Sequence, residues 1–214
     1  MAAAPHERQR DADRTREEIL SAATQEFAEH GYSGARVDVI ATKTRTTKRM
    51  LYYYFESKAG LYTAVLERAY AGIRESEQEL DVEELDPVAA IRKLAELTFD
   101  HHESHPDFVR LVMIENIHRA EHLEESESIA NLNMPAIEII GRILERGRAE
   151  GVFRRSADAI DVHMMISSFC IFRVANRHTF GALFGRDLMA PEQRAHYRAM
   201  LGDMVVDYLR ASEG

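Results

Sequence analysis

Six basic residues, Arg36, Lys43, Arg45, Lys48, Arg49 and Lys58, and three consecutive tyrosines, Tyr52, Tyr53 and Tyr54, fall between positions 36 and 58. Only Asp38 and Glu56 oppose them, so this stretch carries a net +4 inside a chain of net -9. Lys and Arg can reach guanine O6 and N7 or a phosphate oxygen, and a Tyr hydroxyl can donate to a phosphate while its ring packs on sugar or a thymine methyl. The chemistry suits a nucleic-acid duplex. Charge and periodicity alone fit a solvated basic helix pair equally well.

The elements that must position these side chains are short. Val37, Ile40 and Ala41 give a first helix one apolar stripe, which has to be buried against neighbours. Thr46 or Thr47 can cap a second helix, because a Thr hydroxyl accepts from unpaired N–H groups of the first turn. That second helix runs from about Lys48 to Phe55, with Leu51 and Phe55 on a core-facing stripe and Lys48, Arg49, Tyr52 and Tyr53 elsewhere. Ser57 is placed to cap the helix that follows, with Lys58 near its start.

These residues resemble the tetracycline-repressor (TetR) family of bacterial transcription regulators. The resemblance begins at Thr15, where TREEILSAATQEFAEHGYSGARV looks like the family's first helix, with Ile19, Leu20, Ala23 and Phe27 buried and His30-Gly31-Tyr32 closing it. It continues through Ile40-Ala41 to LYYYFESKAGLY. It implies that Lys48, Arg49, Met50 and Tyr53 face bases and that Tyr52, Tyr54 and Lys58 hold phosphates; with Arg36 and Thr47 they make up the expected DNA-facing set. Three departures stand out. Thr44-Arg45 replaces the family's usual Ala-Gly turn, so either the turn is reshaped or Arg45 tolerates a left-handed conformation. Ala35-Arg36 replaces the usual Ser or Thr before the supporting helix, losing a cap and adding a cation read here as a phosphate contact. Asp38 stands where many relatives carry a basic residue, and can complement a helix N-terminus instead.

The chain's 214 residues exceed what one small helical DNA module needs and leave room for a second core. We expect an N-terminal arm over residues 1–13, disordered and polar, a helix-turn-helix domain over 14–60, and a ligand-binding and dimerisation domain over 61–214. No eighteen-residue apolar run exists, so no membrane span is expected, and the N-terminus lacks an apolar signal core. A single cysteine, Cys170, fits a reducing cytoplasm.

Beyond Lys58 every segment reads as helix, and the fold class is all-α. One helix runs from about Lys58 to Leu80, and Glu75 to Glu84 looks like a solvated link. Asp86-Pro87 opens the next, His105-Pro106 ends it, and a sixth follows with Phe108 and Leu111. Pro135 is expected to kink or divide a helix from Ser126 to about Gly147. Ala159 to about Phe184 is apolar on nearly every face, and the last helix repeats apolar residues at three and four from Tyr197 to Leu209. Both need cover on more than one side, which points to a four-helix interface in a homodimer through the last two helices. The family resemblance implies the same arrangement.

The resemblance also implies a small-molecule effector pocket in the second domain. The candidates are Asn116, His118, Ser167, Cys170, Arg173 and Asn176, polar groups on helices read as buried. For each, a satisfied core or dimer contact is the competing explanation. The stretches ENIHRAEHL, ILERGRAEGVFR and VHMMISSFCIFRVANRHTF are loosely similar to the pyrimidine-utilisation repressor branch. Ten histidines raise a metal question, with His118 and His122 at i and i+4 and His101, His102 and His105 clustered before a proline. Without a cysteine pair or HExxH pattern they read as surface histidines, and no metal or cofactor is expected. No glycine elbow or phosphate-cradling loop supports catalysis. The sequence reads as a cytoplasmic dimeric DNA-binding repressor of a near-palindromic operator, released by a small ligand. Its alternatives are a regulator without an effector, an activator, or a helical protein-interaction module.

Overall fold

Apolar residues recur at helical spacing along nearly the whole chain, and the backbone follows them. A computed structural model describes residues 5–212 apart from positions 79, 81 and 125. Among the described residues there are eleven helices and no strand: α1 (Pro5–Gly34), α2 (Val37–Lys43), α3 (Lys48–Phe55), α4 (Lys58–Gln78), α5 (Pro87–Ser104), α6 (Pro106–Ile117), α7 (Glu121–Glu124), α8 (Glu127–Ala149), α9 (Ala159–Ala175), α10 (Arg177–Phe184) and α11 (Pro191–Arg210). None of the described helices is long and apolar enough to cross a membrane.

The chain divides into two units, Met1–Ala69 with Arg110–Ile129, and Tyr70–Val109 with Ala130–Gly214. In the first, Ile19, Leu20, Ala23 and Phe27 of α1 are buried with Val37, Ile40 and Ala41 of α2, Leu51 and Phe55 of α3, and Leu61, Tyr62 and Val65 of α4. The Phe27 and Tyr62 rings meet edge-on at 4.8 Å. Tyr62 also donates its hydroxyl to the buried Glu115 carboxylate of α6 at 2.9 Å, while Glu115 accepts the His122 backbone N–H at 3.2 Å. Gly31, at φ +69 and ψ 174, kinks α1 near its end in a conformation that costs a side-chain-bearing residue. In the second unit α5 packs against α9 and α11, burying Ile91, Leu94, Phe99, Ile166, Leu201 and Val205. Asp86 caps α5, its Oδ1 accepting from Val88 and Ala89 N–H at 3.0 and 2.9 Å, and Pro87 fills the first turn, where no N–H partner exists.

Several expectations change. The arm expected over residues 1–13 is helical from Pro5 onward, with pairs such as Arg14 to Asp11 and Glu18 one turn away on either side; residues 1–4 lie outside the described ones. The solvated link expected from Glu75 begins instead inside α4, where Glu77 is buried, and Val82 beyond it is buried too. Pro135 neither divides nor ends α8, which gives up one backbone bond there and continues. The long apolar helix expected to reach Phe184 breaks at Asn176 into α9 and α10.

Candidate nucleic-acid interface

α3 is anchored by one face and offers the other. Leu51 and Phe55 are buried, whereas Tyr53 is 77% exposed, Tyr52 44% and Met50 39%. Lys48 and Arg49 are exposed on the same helix and Tyr54 is half-buried. Arg16 of α1 lies 5.3 Å from the Phe55 ring centre, a cation over the base of the helix.

Both ends of α3 are fixed by non-glycine residues in left-handed conformations. Before it, Arg45 has φ +53, and the chain leaves α2 with Thr46 N–H bonded to Ala41 O at 3.0 Å and Arg45 N–H to Thr42 O at 3.3 Å. That pair of bonds defines a Schellman ending, with Arg45 where glycine is usual. Arg45 therefore tolerates the turn, at a cost of roughly 1–2 kcal/mol. Thr47 then caps α3, its Oγ1 accepting the Met50 N–H at 3.2 Å. After α3, Glu56 has φ +64 and ψ -49, and Ser57 N–H reaches back to Phe55 O at 2.6 Å, a three-residue turn of the rarer, strained hand. Gly60 permits the tight exit, since a Cβ there would run into the Phe55 carbonyl. Ser57 Oγ accepts the Gly60 N–H at 3.0 Å. Side chains on so short a helix project in fixed directions only because its entry and exit are held this way.

Carboxylates select which cations are presented. Glu26 of α1 is buried, its Oε2 accepting from Lys43 Nζ at 3.1 Å and its Oε1 from the Arg36 N–H at 3.2 Å. Burial acts to raise the Glu26 carboxyl, but these two donors outweigh it and hold the group below its ordinary range. Lys43 thus clamps α2 to α1. Arg36 grips Asp38, Nη2 to Oδ2 at 2.9 Å and Nε to Oδ1 at 3.4 Å, which lowers the Asp38 carboxyl and raises the Arg36 guanidinium through that hydrogen bond. Lys48 Nζ is 4.0 Å from the same carboxylate. Lys58 Nζ makes a long 3.5 Å contact with Ser33 O and lies 5.1 Å from the Tyr32 ring centre.

The residues predicted for a ligand fall in both units. Asn116 and His118 are exposed at the end of α6 in the first unit, and Asn116 Nδ2 donates to Val112 O at 2.8 Å. The other four lie in the second unit on α9 and at its end. Ser167 Oγ is 3.3 Å from His163 Nε2, and burial pushes the Cys170 thiol up to about 12, so it stays protonated. Arg173 is buried with Nη2 on Glu103 at 2.8 Å, Nη1 on Leu188 O at 3.1 Å and its guanidinium 4.1 Å from the Phe99 ring centre. Asn176 marks the break between α9 and α10. Beside Arg173, an open apolar groove of about 490 Å³ is lined by Met165, Phe169, Phe172, Phe180, Tyr197 and Met204 among others. Three histidines expected at the surface, His101, His102 and His122, are buried instead. α5 turns His102 inward, where its Nδ1–H meets Thr98 O at 2.8 Å. No three metal-ligating side chains gather at one point among the described residues. Sequence reading missed the buried Arg74–Glu77 pair of α4, at 2.6 Å; the three-residue spacing was visible, its burial was not.

Comparison with known proteins places this geometry. Residues 19–65 match a family described as bacterial regulatory proteins, tetR family, and residues 87–205 match the tetracyclin repressor-like C-terminal domain. The chain is 35% identical over 203 residues to the HTH-type transcriptional repressor NicS of Pseudomonas putida, covering 95% of this chain and 96% of that one. It is 34% identical over 108 residues to the transcriptional regulator RutR of Escherichia coli, about half of each chain. Among solved structures, the transcriptional regulator SCO4942 from Streptomyces coelicolor superposes with a TM-score of 0.68 at 28% identity, covering 89% of this chain and 97% of that one. A buried α1–α2 frame presenting the basic, tyrosine-rich α3 is therefore a helix-turn-helix reading head, and the chain belongs to the TetR family of DNA-binding bacterial transcription regulators.

Proposed function

We propose that the protein is a cytoplasmic repressor that binds a near-palindromic operator as a homodimer and is released from it by a small organic effector. The observation that carries the DNA reading is α3 itself: Lys48, Arg49, Met50 and Tyr53 exposed above buried Leu51 and Phe55. In this reading Lys48, Arg49, Met50 and Tyr53 meet base edges, while Arg36, Thr47, Tyr52, Tyr54 and Lys58 hold phosphates. Arg36 must exchange Asp38 for a phosphate to do so.

Dimerisation is supported by α9 to α11. Ile160, Met164 and Phe172 are 61%, 62% and 50% exposed at four- and eight-residue steps along α9, with Leu183, Phe184, Met200 and Met204 exposed on α10 and α11. Large apolar side chains exposed along three helices are poor ones to leave in water. A symmetric pair would set two reading helices against successive half-sites. Effector release is supported by the relatives: a Bacillus subtilis regulator of the same fold, FadR, is described in complex with stearoyl-CoA. α4 carries Lys58 in the first unit and continues into the second, and any ligand that prefers the non-binding conformation must weaken DNA binding by the same coupling factor.

Selection of random duplex DNA by the purified protein at moderate salt tests this reading. Enrichment of a near-palindrome, bound by two chains, is expected. Retention without a motif would contradict it.

A further inference from the structure

Among the described residues of the second unit, Arg74 and Arg173 are buried. Arg173 has a carboxylate, a carbonyl and an aromatic face around it. Arg74 is 95% buried and bonds through Nη1 to Glu77 on its own helix, while its Nε is sequestered from solvent without a hydrogen-bond partner. A buried donor left unpaired is costly, and a guanidinium presents its donors as a fork shaped for an oxyanion.

Around Arg74 stand groups that do not neutralise it. Its charge bears on His101, His102 and His163, from α5 and α9, and burial keeps all three imidazoles neutral, with His101 pushed down to about 3 and His102 to about 4. The carboxylate beside it, Glu77, is pushed by burial up to about 7 and so compensates Arg74 only partly near neutral pH, and the Tyr70 phenol also bears on Arg74. At Gly72 the α4 backbone runs beside His101 with no side chain between, since a Cβ there would stand 3.8 Å from Cε1. His102 donates through Nδ1, leaving Nε2 as an acceptor, and His163 Nε2 is paired with Ser167 Oγ at 3.3 Å. A metal cation would meet Arg74 head-on. An anion would meet a guanidinium whose Nη1 is held by Glu77 and whose Nε is unpaired, with neutral donors and acceptors beside it.

We infer that Arg74, with His101, His102 and His163 around it, is the binding site for the carboxylate of a small monoanionic organic acid. The inference rests on the effector reading above and assigns that effector's class. Bound here, the carboxylate takes the unpaired Arg74 Nε–H, and the imidazoles contact the polar atoms of the rest of the molecule.

Calorimetric titration of the full-length protein with benzoate and hexanoate, each against its neutral amide, tests the site. Each acid is expected to bind roughly tenfold or more tightly than its amide. Arg74→Gln should abolish that preference. Glu77→Gln, which removes the competing carboxylate, should raise acid affinity several-fold at pH 8, an arm that stands even if the Arg74 variant fails to fold. Acid and amide binding alike, or no acid binding at all, would overturn the site. So would an unchanged acid preference in folded Arg74→Gln. Operator release is read separately. An acid that binds through Arg74 yet leaves operator affinity unchanged would support the anion site and refute the effector reading, whereas release that persists in Arg74→Gln would refute the anion site alone.

Discussion

The cations of the first unit and those of the second show how one residue type is put to opposite uses. On α3, Lys48 and Arg49 stand in solvent on a helix anchored by Leu51 and Phe55, where each ion keeps its hydration and is free to exchange it for phosphate or base. In the second unit Arg74 and Arg173 have lost that hydration and depend on whatever the fold supplies. Arg173 has the Glu103 carboxylate at 2.8 Å, a carbonyl and an aromatic face around it; Arg74 has Glu77 on Nη1 and an Nε without a hydrogen-bond partner, the atom on which the proposed anion site rests. Exposure therefore distinguishes a cation that meets a large polyanion at the surface from one that meets a small anion in the interior.

The largest expected effect breaks the comparison on its exposed side. Lys48→Glu with Arg49→Glu should cut affinity for the selected operator by about a hundredfold or more, from roughly 1–3 kcal/mol per base-reading pair, with helix content unchanged by circular dichroism. A fully retained affinity would remove α3 from the interface.

The buried side is sharpened by pH. His101 and His102 are held neutral in the fold down to about 3 and about 4, while the unfolded chain protonates both below about 6.5; their contribution is present above that pH and lost as pH falls. Glu77, at about 7 when folded against 4.5, opposes them by holding a proton that the unfolded chain releases. With His163 lowered as well, the imidazoles outweigh Glu77 by at least one proton, and stability falls by about 1.4 kcal/mol per pH unit or more from 6.5 toward 4.5. Urea midpoints across that window check the slope, which should flatten or reverse in His101→Gln with His102→Gln.

A smaller effect concerns how α3 is held. Arg45→Gly should stabilise the chain by about 1 kcal/mol, since the φ of +53 then carries no side-chain penalty, and thermal melting measures it. Lys58→Ala should weaken all duplexes alike and reduce the slope of log affinity against log salt by about one; an unchanged slope would strike Lys58 from the phosphate contacts.

The reading head was legible in the sequence because its determinants are local. Leu51 and Phe55 one turn apart, Thr47 before the helix and Ser57 after it act within a few residues, and their spacing states their roles. The Schellman turn at Arg45 was legible as a conflict and needed coordinates to resolve. The Arg74 site was not legible, because it is assembled from α4, α5 and α9, residues far apart in the chain that look like solvated charges and surface histidines when read singly. The same limit hid Glu26, whose partners Arg36 and Lys43 lie ten and seventeen residues away. Long-range burial decides the meaning of a charged residue, and periodicity does not report it.

The most direct test maps lysine- and arginine-directed chemical modification by mass spectrometry, with and without the selected operator. Strong protection of Lys48 and Arg49 by DNA is expected, while Arg74 and Arg173 stay unreactive in both states. Equal reactivity of Lys48 and Arg49 with and without operator would contradict it.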